Sequence, residues 1–209
     1  MESVTDKTYS TNQRFITLEG VAEHRDSIKG SSFLAYARHI RTTTEANQFL
    51  QTLIQRHPEA SHLCWAYRMG QQYRYSDGGE PTGTAGQPIY KVIEGQGLDF
   101  IVVGVIRYFG GTLLGAGGLM RAYGGTASEA LRKADRREEF PRLRIAVEVL
   151  FDQMGSLYRC LDSHGAEERL EDYTERGVRV ICQMPSEKIE PFETQLRNAT
   201  RDQFDLKHL

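Results

Sequence analysis

Two carboxylates, Asp77 and Glu80, stand three residues apart in the stretch Ser76-Asp77-Gly78-Gly79-Glu80-Pro81-Thr82-Gly83-Thr84-Ala85-Gly86. Such a pair can hold a metal, act as acid and base, or accept hydrogen bonds from backbone N–H groups. The surrounding glycines favour the third use, because an open loop leaves many N–H groups that Asp or Glu can tie down. Asp77, Glu80 and Thr84 are therefore read as loop-shaping residues that can also meet a ligand. A second cluster, Gly110 to Gly118, has five glycines in nine residues and follows Arg107. A glycine-rich turn that feeds a helix presents bare amides and the positive end of the helix dipole, which suits phosphate. Arg107 and Arg121 bracket it, with Lys91 upstream, so the candidate phosphate contacts are Arg107, Gly110, Gly111, Gly115, Gly117, Gly118, Arg121 and Lys91. The rival reading is a tight strand-to-helix crossover that needs glycine only for packing.

Known nucleotide motifs do not fit. No Gly-Lys-Ser/Thr occurs, so there is no P-loop. Gly115-x-Gly117 has Met120 where a dinucleotide fingerprint needs its third glycine, and no acidic residue follows at the right distance. His62 and Cys64 share a face of a predicted strand but lack the further ligands a zinc site needs, and read as a core pair. Tyr67, Tyr73, Tyr75, Tyr90, Tyr108 and Tyr123 gather around the glycine stretch and, with the arginines, can form a stacking and phosphate surface for RNA. No catalytic residue, metal or cofactor is assigned.

The elements that must position these residues follow from periodicity. Fourteen of the 20 glycines fall between 76 and 125, and the apolar run Asp99 to Tyr108 joins the two clusters as a buried central strand. A helix from about Gly86 to Glu94 follows the first cluster, with Pro88 tolerated near its start. A helix from about Gly117 to Ala134 follows the second, its inner face being Leu119, Ala122, Tyr123, Thr126, Ala127, Ala130 and Leu131. Upstream, Phe15 to Val21 and Ser32 to Ala37 read as strands, Glu45 to Arg56 as a helix capped by Thr44, and 61–69 as a strand. Residues 135–142, DRREEFPR, read as a charged junction, which divides the chain into 1–136 and 137–209. The second part reads β-α-β-β-α-β, the ferredoxin-like order.

Composition bounds the rest. With 39% hydrophobic and 26% charged residues the 209-residue chain is an ordinary globular protein. It has no transmembrane-length apolar run and no signal-like start, and its three scattered cysteines are expected to be free thiols in the cytoplasm. The net charge of −2 excludes a strong global basic footprint. Residues 1–138 carry 16 basic and 14 acidic side chains; residues 139–209 carry 10 and 14.

Gly79-Glu80-Pro81-Thr82-Gly83-Thr84-Ala85-Gly86-Gln87-Pro88, then Arg107-Tyr108-Phe109-Gly110-Gly111 through Ala122-Tyr123, resemble the two hallmark segments of the IMPACT/YigZ family. His62-Leu63-Cys64-Trp65-Ala66 is similar to the family's preceding strand. The chain departs from the pattern at Gly78, where a second aspartate is usual, and at Ser32, where a basic residue is usual. The resemblance implies a two-domain α/β (α+β) protein. The first domain would resemble elongation factor G domain IV, with helices on one face of a sheet, and the second domain V. It also implies RNA, the ribosome or translation control as partner, the last through RNA or a protein.

The leading expectation is a non-enzymatic RNA-binding or ribosome-associated protein. The alternative is an enzyme or small-ligand binder that uses the cleft between the glycine clusters, with Glu80 as acid or base and Arg107 as anion anchor.

Overall fold

The computed structural model describes residues 14–209, which form two compact units that divide at Glu139/Phe140.

In the first unit β1 (Phe15–Leu18) leads into a hairpin of β2 (Val21–Ile28) and β3 (Ser31–His39). Lys29 and Gly30, both at positive φ, make the two-residue turn whose twist matches the strands it joins. α1 (Thr43–Arg56) is capped by Thr42, whose side chain accepts from Glu45 N at 3.1 Å, rather than by Thr44. β4 (His62–Met69) and β5 (Gln72–Ser76) form a second hairpin, followed by α2 (Gly86–Gly95), β6 (Ile101–Tyr108), α3 (Gly115–Lys133) and β7 (Arg136–Glu139). The sheet order is β2-β3-β6-β4-β5, all antiparallel, and β1 pairs with β7 as a separate ribbon.

Helices cover both faces of this sheet, which corrects the expectation of helices on one face. The reason lies in β6, the central strand. Ile101, Val103 and Val105 point into a core with Ile89 and Ile93 of α2 and Leu119, Ala122, Tyr123, Ala127 and Leu131 of α3. Val102 and Ile106 point the other way, into a core with Ala46, Leu50 and Leu53 of α1. A strand apolar on both faces must be covered on both. Gly104 lets α1 come close, since a Cβ there would meet Leu53 Cδ1 at 2.7 Å.

Within the charged junction, four residues form β7, paired with β1 in the register Phe15↔Glu139 to Leu18↔Arg136. The chain leaves the first unit only after Glu139.

The second unit contains β8 (Arg142–Leu150), a short 3-10 turn (Phe151–Gln153), α4 (Met154–Ser163), β9 (Glu167–Tyr173), β10 (Gly177–Pro185), α5 (Ser186–Thr200) and β11 (Phe204–His208). Its sheet order, β11-β8-β10-β9, is that of the ferredoxin-like split βαβ arrangement. Leu157, Cys160 and Leu161 of α4 and Ile189, Phe192 and Leu196 of α5 cover it with one core. The molecule is a two-domain α+β protein. No helix among the described residues is long and apolar enough to cross a membrane.

Candidate functional site

The chemistry concentrates at one end of the first unit's sheet, where β6 stops. Arg107 is its penultimate residue, so strand alternation turns the side chain to the α2/α3 side, with Val105 and Val103. Across the ladder its neighbours are Phe33 on β3 and His62 on β4. Arg107 Nη1 donates to Glu80 Oε1 at 2.6 Å, and both side chains are only 5% exposed. Tyr123 Oη donates to the same Oε1 at 2.8 Å, and His62 Nε2 lies 4.0 Å from it. The guanidinium is sandwiched between the rings of Phe33 (5.5 Å) and Phe109 (5.3 Å). No hydrogen bond among the described residues reaches Glu80 Oε2, and the buried Arg107 Nε is likewise unpartnered.

The loop of the first glycine cluster hangs on strand β4. Cys64 Sγ donates to Asp77 O at 2.9 Å, and His62 Nδ1 bonds Gly78 O at 3.0 Å. His62 and Cys64 thus tether this loop. No group of three or more metal-binding side chains occurs among the described residues. Burial pushes the Cys64 thiol up to about 12 and pushes the Tyr123 hydroxyl up as well, so both stay protonated.

Asp77 caps α2. Its Oδ1 accepts from Ala85 N (3.0 Å) and Gly86 N (2.9 Å), and its Oδ2 accepts from Gly83 N (2.8 Å). Burial acts to raise its pKa, but the N–H groups of Gly83, Gly86 and Ala85 outweigh it and hold the carboxyl below its ordinary value. Thr84 closes the turn ahead of the helix through Oγ1 to Pro81 O at 2.6 Å.

α3 begins differently. No side chain caps it, and its first turn has no acidic residue. The loop 109–114 before it is exposed, with Leu113 86% and Phe109 49% accessible. Gly110 packs on the β2–β3 turn so tightly that a Cβ there would meet Gly30 C at 1.9 Å, which sets Lys29 beside the loop. Ser31 Oγ accepts from Gly110 N at 3.1 Å and from Arg107 Nη2 at 3.3 Å, linking loop and ion pair. Arg121, exposed and without an ion pair among the described residues, folds back toward the helix start. A Cβ on Gly117 would stand 3.5 Å from its Nη1. Gly111 and Gly115 take positive φ in open space, and Gly118 faces Leu114.

Several candidate residues lie elsewhere than expected. Arg107 and Tyr123 are buried, both bonded to Glu80, and do not lie on an open surface. Tyr108 points to the α1 side, where its hydroxyl meets His57 Nδ1 at 2.8 Å. Tyr67 is buried on that same side. Gly110 is needed for backbone contact with Gly30. Lys91 is exposed on α2, without an ion pair among the described residues, and Tyr73 and Tyr75 cluster with Tyr90. Ser31 and Lys29 escaped the list of candidates. The signals for them were the two-residue Lys29-Gly30 turn and the family pattern's basic residue at position 32, neither of which says what loop they pack on.

The Impact N-terminal domain family model matches residues 29–131, which hold this entire site. A protein of Thermus thermophilus described as "IMPACT family member in pol 5'region" is 44% identical over 158 residues, covering 76% of this chain and 86% of that protein. The chain belongs to the IMPACT family. Another member, "IMPACT family member YigZ" of Escherichia coli, is 32% identical over 186 residues, covering 87% of this chain and 91% of its own. A solved crystal structure of a hypothetical protein superposes with a TM-score of 0.81 at 29% identity, over 94% of this chain and 97% of that one. The second unit matches a model described as "Domain of unknown function (DUF1949)" over residues 147–203. The IMPACT-type assignment therefore covers both units, with the polar cluster in the first.

Proposed function

We propose that this IMPACT-family protein binds RNA through the loop 109–114 and the first turn of α3, in the cytoplasm and in connection with translation. One observation carries the reading. Arg121 lies back over the start of a helix that has neither a capping side chain nor an acid in its first turn. The dipole already makes that end positive, so a cation there is unfavourable unless an anion joins it. A phosphate on the bare amides, with Arg121 and Lys29 at its flanks, supplies that anion. Phe109 and Leu113 offer apolar contact to sugar or base. Glu80 and Arg107 neutralise one another, so they support the loop and do not contact phosphate. The family's likeness to elongation factor G domains supports the ribosome or a translation-control protein as the wider context.

The test is binding of RNA and single-stranded DNA across a salt series, for wild type and Arg121→Ala. Affinity should fall steeply with salt, and the variant should reduce the log–log slope by about 1. No binding even at low salt would overturn the reading.

A second reading, a small-ligand site at Glu80, is favoured by the unpartnered Oε2 of its carboxylate. It predicts saturable binding, with little salt dependence, of a small ligand that donates an O–H or N–H group to this oxygen, such as a nucleoside, and Glu80→Gln would weaken it.

A further inference from the structure

Three tyrosines form a cluster on the α2 side of the first unit that the site above does not use. β5 is an edge strand, and the register Arg68↔Tyr73 and Ala66↔Tyr75 turns both tyrosines to the face covered by α2. Tyr73 stacks on Tyr90 of α2, with ring centroids 4.5 Å apart and planes at 24°. Tyr75 stands at 6.2 Å and 32° from the same ring. Despite this, Tyr73 is 53% and Tyr75 is 42% exposed. One face of Tyr73 is thus fixed against Tyr90 while the rest of the ring is in solvent. A free surface tyrosine would lose side-chain freedom when a ligand stacks on it, whereas this ring is already held.

We propose that Tyr73, buttressed by Tyr90 and flanked by Tyr75, is a stacking platform for bases of single-stranded RNA. The inference rests on the RNA reading above and names the strand state of its ligand. Aromatic rings on sheet strands serve this role because every base has a stacking face, and a duplex offers none to the side. Two tyrosines two residues apart on a strand are spaced by about 6.8 Å, enough to meet different nucleotides of one extended strand. α2 lies beside α3, with Gly124 packed on Pro88 and Val92, so platform and loop occupy the same side of the sheet. On this face the charge is nearly balanced: Arg68 pairs with Asp99 at 3.7 Å, Lys91 and Glu94 are neighbours on α2, and Arg74, between the two tyrosines, turns to the α1 side with Tyr67. Stacking here therefore adds affinity without adding much salt dependence.

The experiment compares a uridylate oligomer with an RNA duplex as ligand for wild type, Tyr73→Ala and Tyr73→Phe, over the same salt series. Tyr73→Ala should weaken single-strand binding roughly tenfold with an unchanged salt slope. Tyr73→Phe should bind as wild type, and duplex affinity should not move. Equal single-strand affinity for wild type and Tyr73→Ala overturns the platform. So does a loss shared equally by single strand and duplex, or a loss confined to a proline-rich peptide offered in parallel, which would assign the rings to peptide. If wild type binds no RNA at all, the RNA reading itself fails, which separates the two failures.

Discussion

The first unit has two helices that start at glycine-rich loops beside the same strand end, and they are finished in opposite ways. At the start of α2 the Asp77 carboxylate accepts from the N–H groups of Gly83, Ala85 and Gly86, so the helix dipole is answered from within the fold. No side chain accepts from the start of α3, which has a cation over its first turn. One loop is closed by its own carboxylate, and the other has none. Two loops of like glycine content thus differ in whether the chain itself supplies the counter-charge for the helix that follows.

The largest effect in this contrast should come from the ion pair beneath both loops. Glu80→Ala leaves Arg107 charged and buried without its partner, and should cost about 3–5 kcal/mol in urea unfolding. A loss under about 1 kcal/mol would mean that the pair is solvated like a surface bridge. Next in size, Asp77→Ala should cost about 1–2 kcal/mol by the same measurement, as expected for a lost cap. The corresponding Leu114→Ala change ahead of α3 removes no cap.

Acidity should separate the loops further. The Asp77 carboxyl has a lowered pKa when folded, so its contribution is full above the unfolded value of about 4 and is lost as pH falls below it. Before that, His39 and His57, both lowered chiefly by burial, must charge. His57 sits between the hydroxyls of Tyr36 and Tyr108, and His39 contacts Phe100 O and Glu139. Thermal stability of the first unit should therefore begin to fall as pH drops through about 6.5, and fall again below about 4. A midpoint that is flat from pH 7 to 5 would contradict the histidine placements. The smallest effect is kinetic: Cys64, with its thiol pushed up to about 12, should react with iodoacetamide near neutral pH far more slowly than in the unfolded chain.

Much of this was legible in the chain and some was not, for physical reasons. The inner face expected for α3 is the set of residues that the fold buries, because helical period is strong in a long segment. That face already included Tyr123, so its burial could be read from periodicity even though its nearness to glycines suggested a surface role. Arg107 is a similar case. Alternation along β6 puts it with Val105 and Val103, but its partner Glu80 is 27 residues away, and pairing at that distance leaves no local mark. β7 and much of β2 were missed because strands with polar residues on both faces show no alternation. Which face of the sheet α1 covers also has no signal in α1 itself. The unbroken apolar run of β6 was the place where two covered faces were written.

The central claim is that the start of α3 is kept bare for an anion, and Ala116→Glu tests it most directly. Ala116 is exposed in the first turn, so an acid there complements the dipole and should leave the fold unchanged or stabilise it by about 0.3–1 kcal/mol. The same carboxylate occupies the anion's place, so RNA affinity at low salt should drop about tenfold or more, a change of about 1.4 kcal/mol. A variant of undiminished thermal midpoint that binds RNA as tightly as wild type would contradict the account.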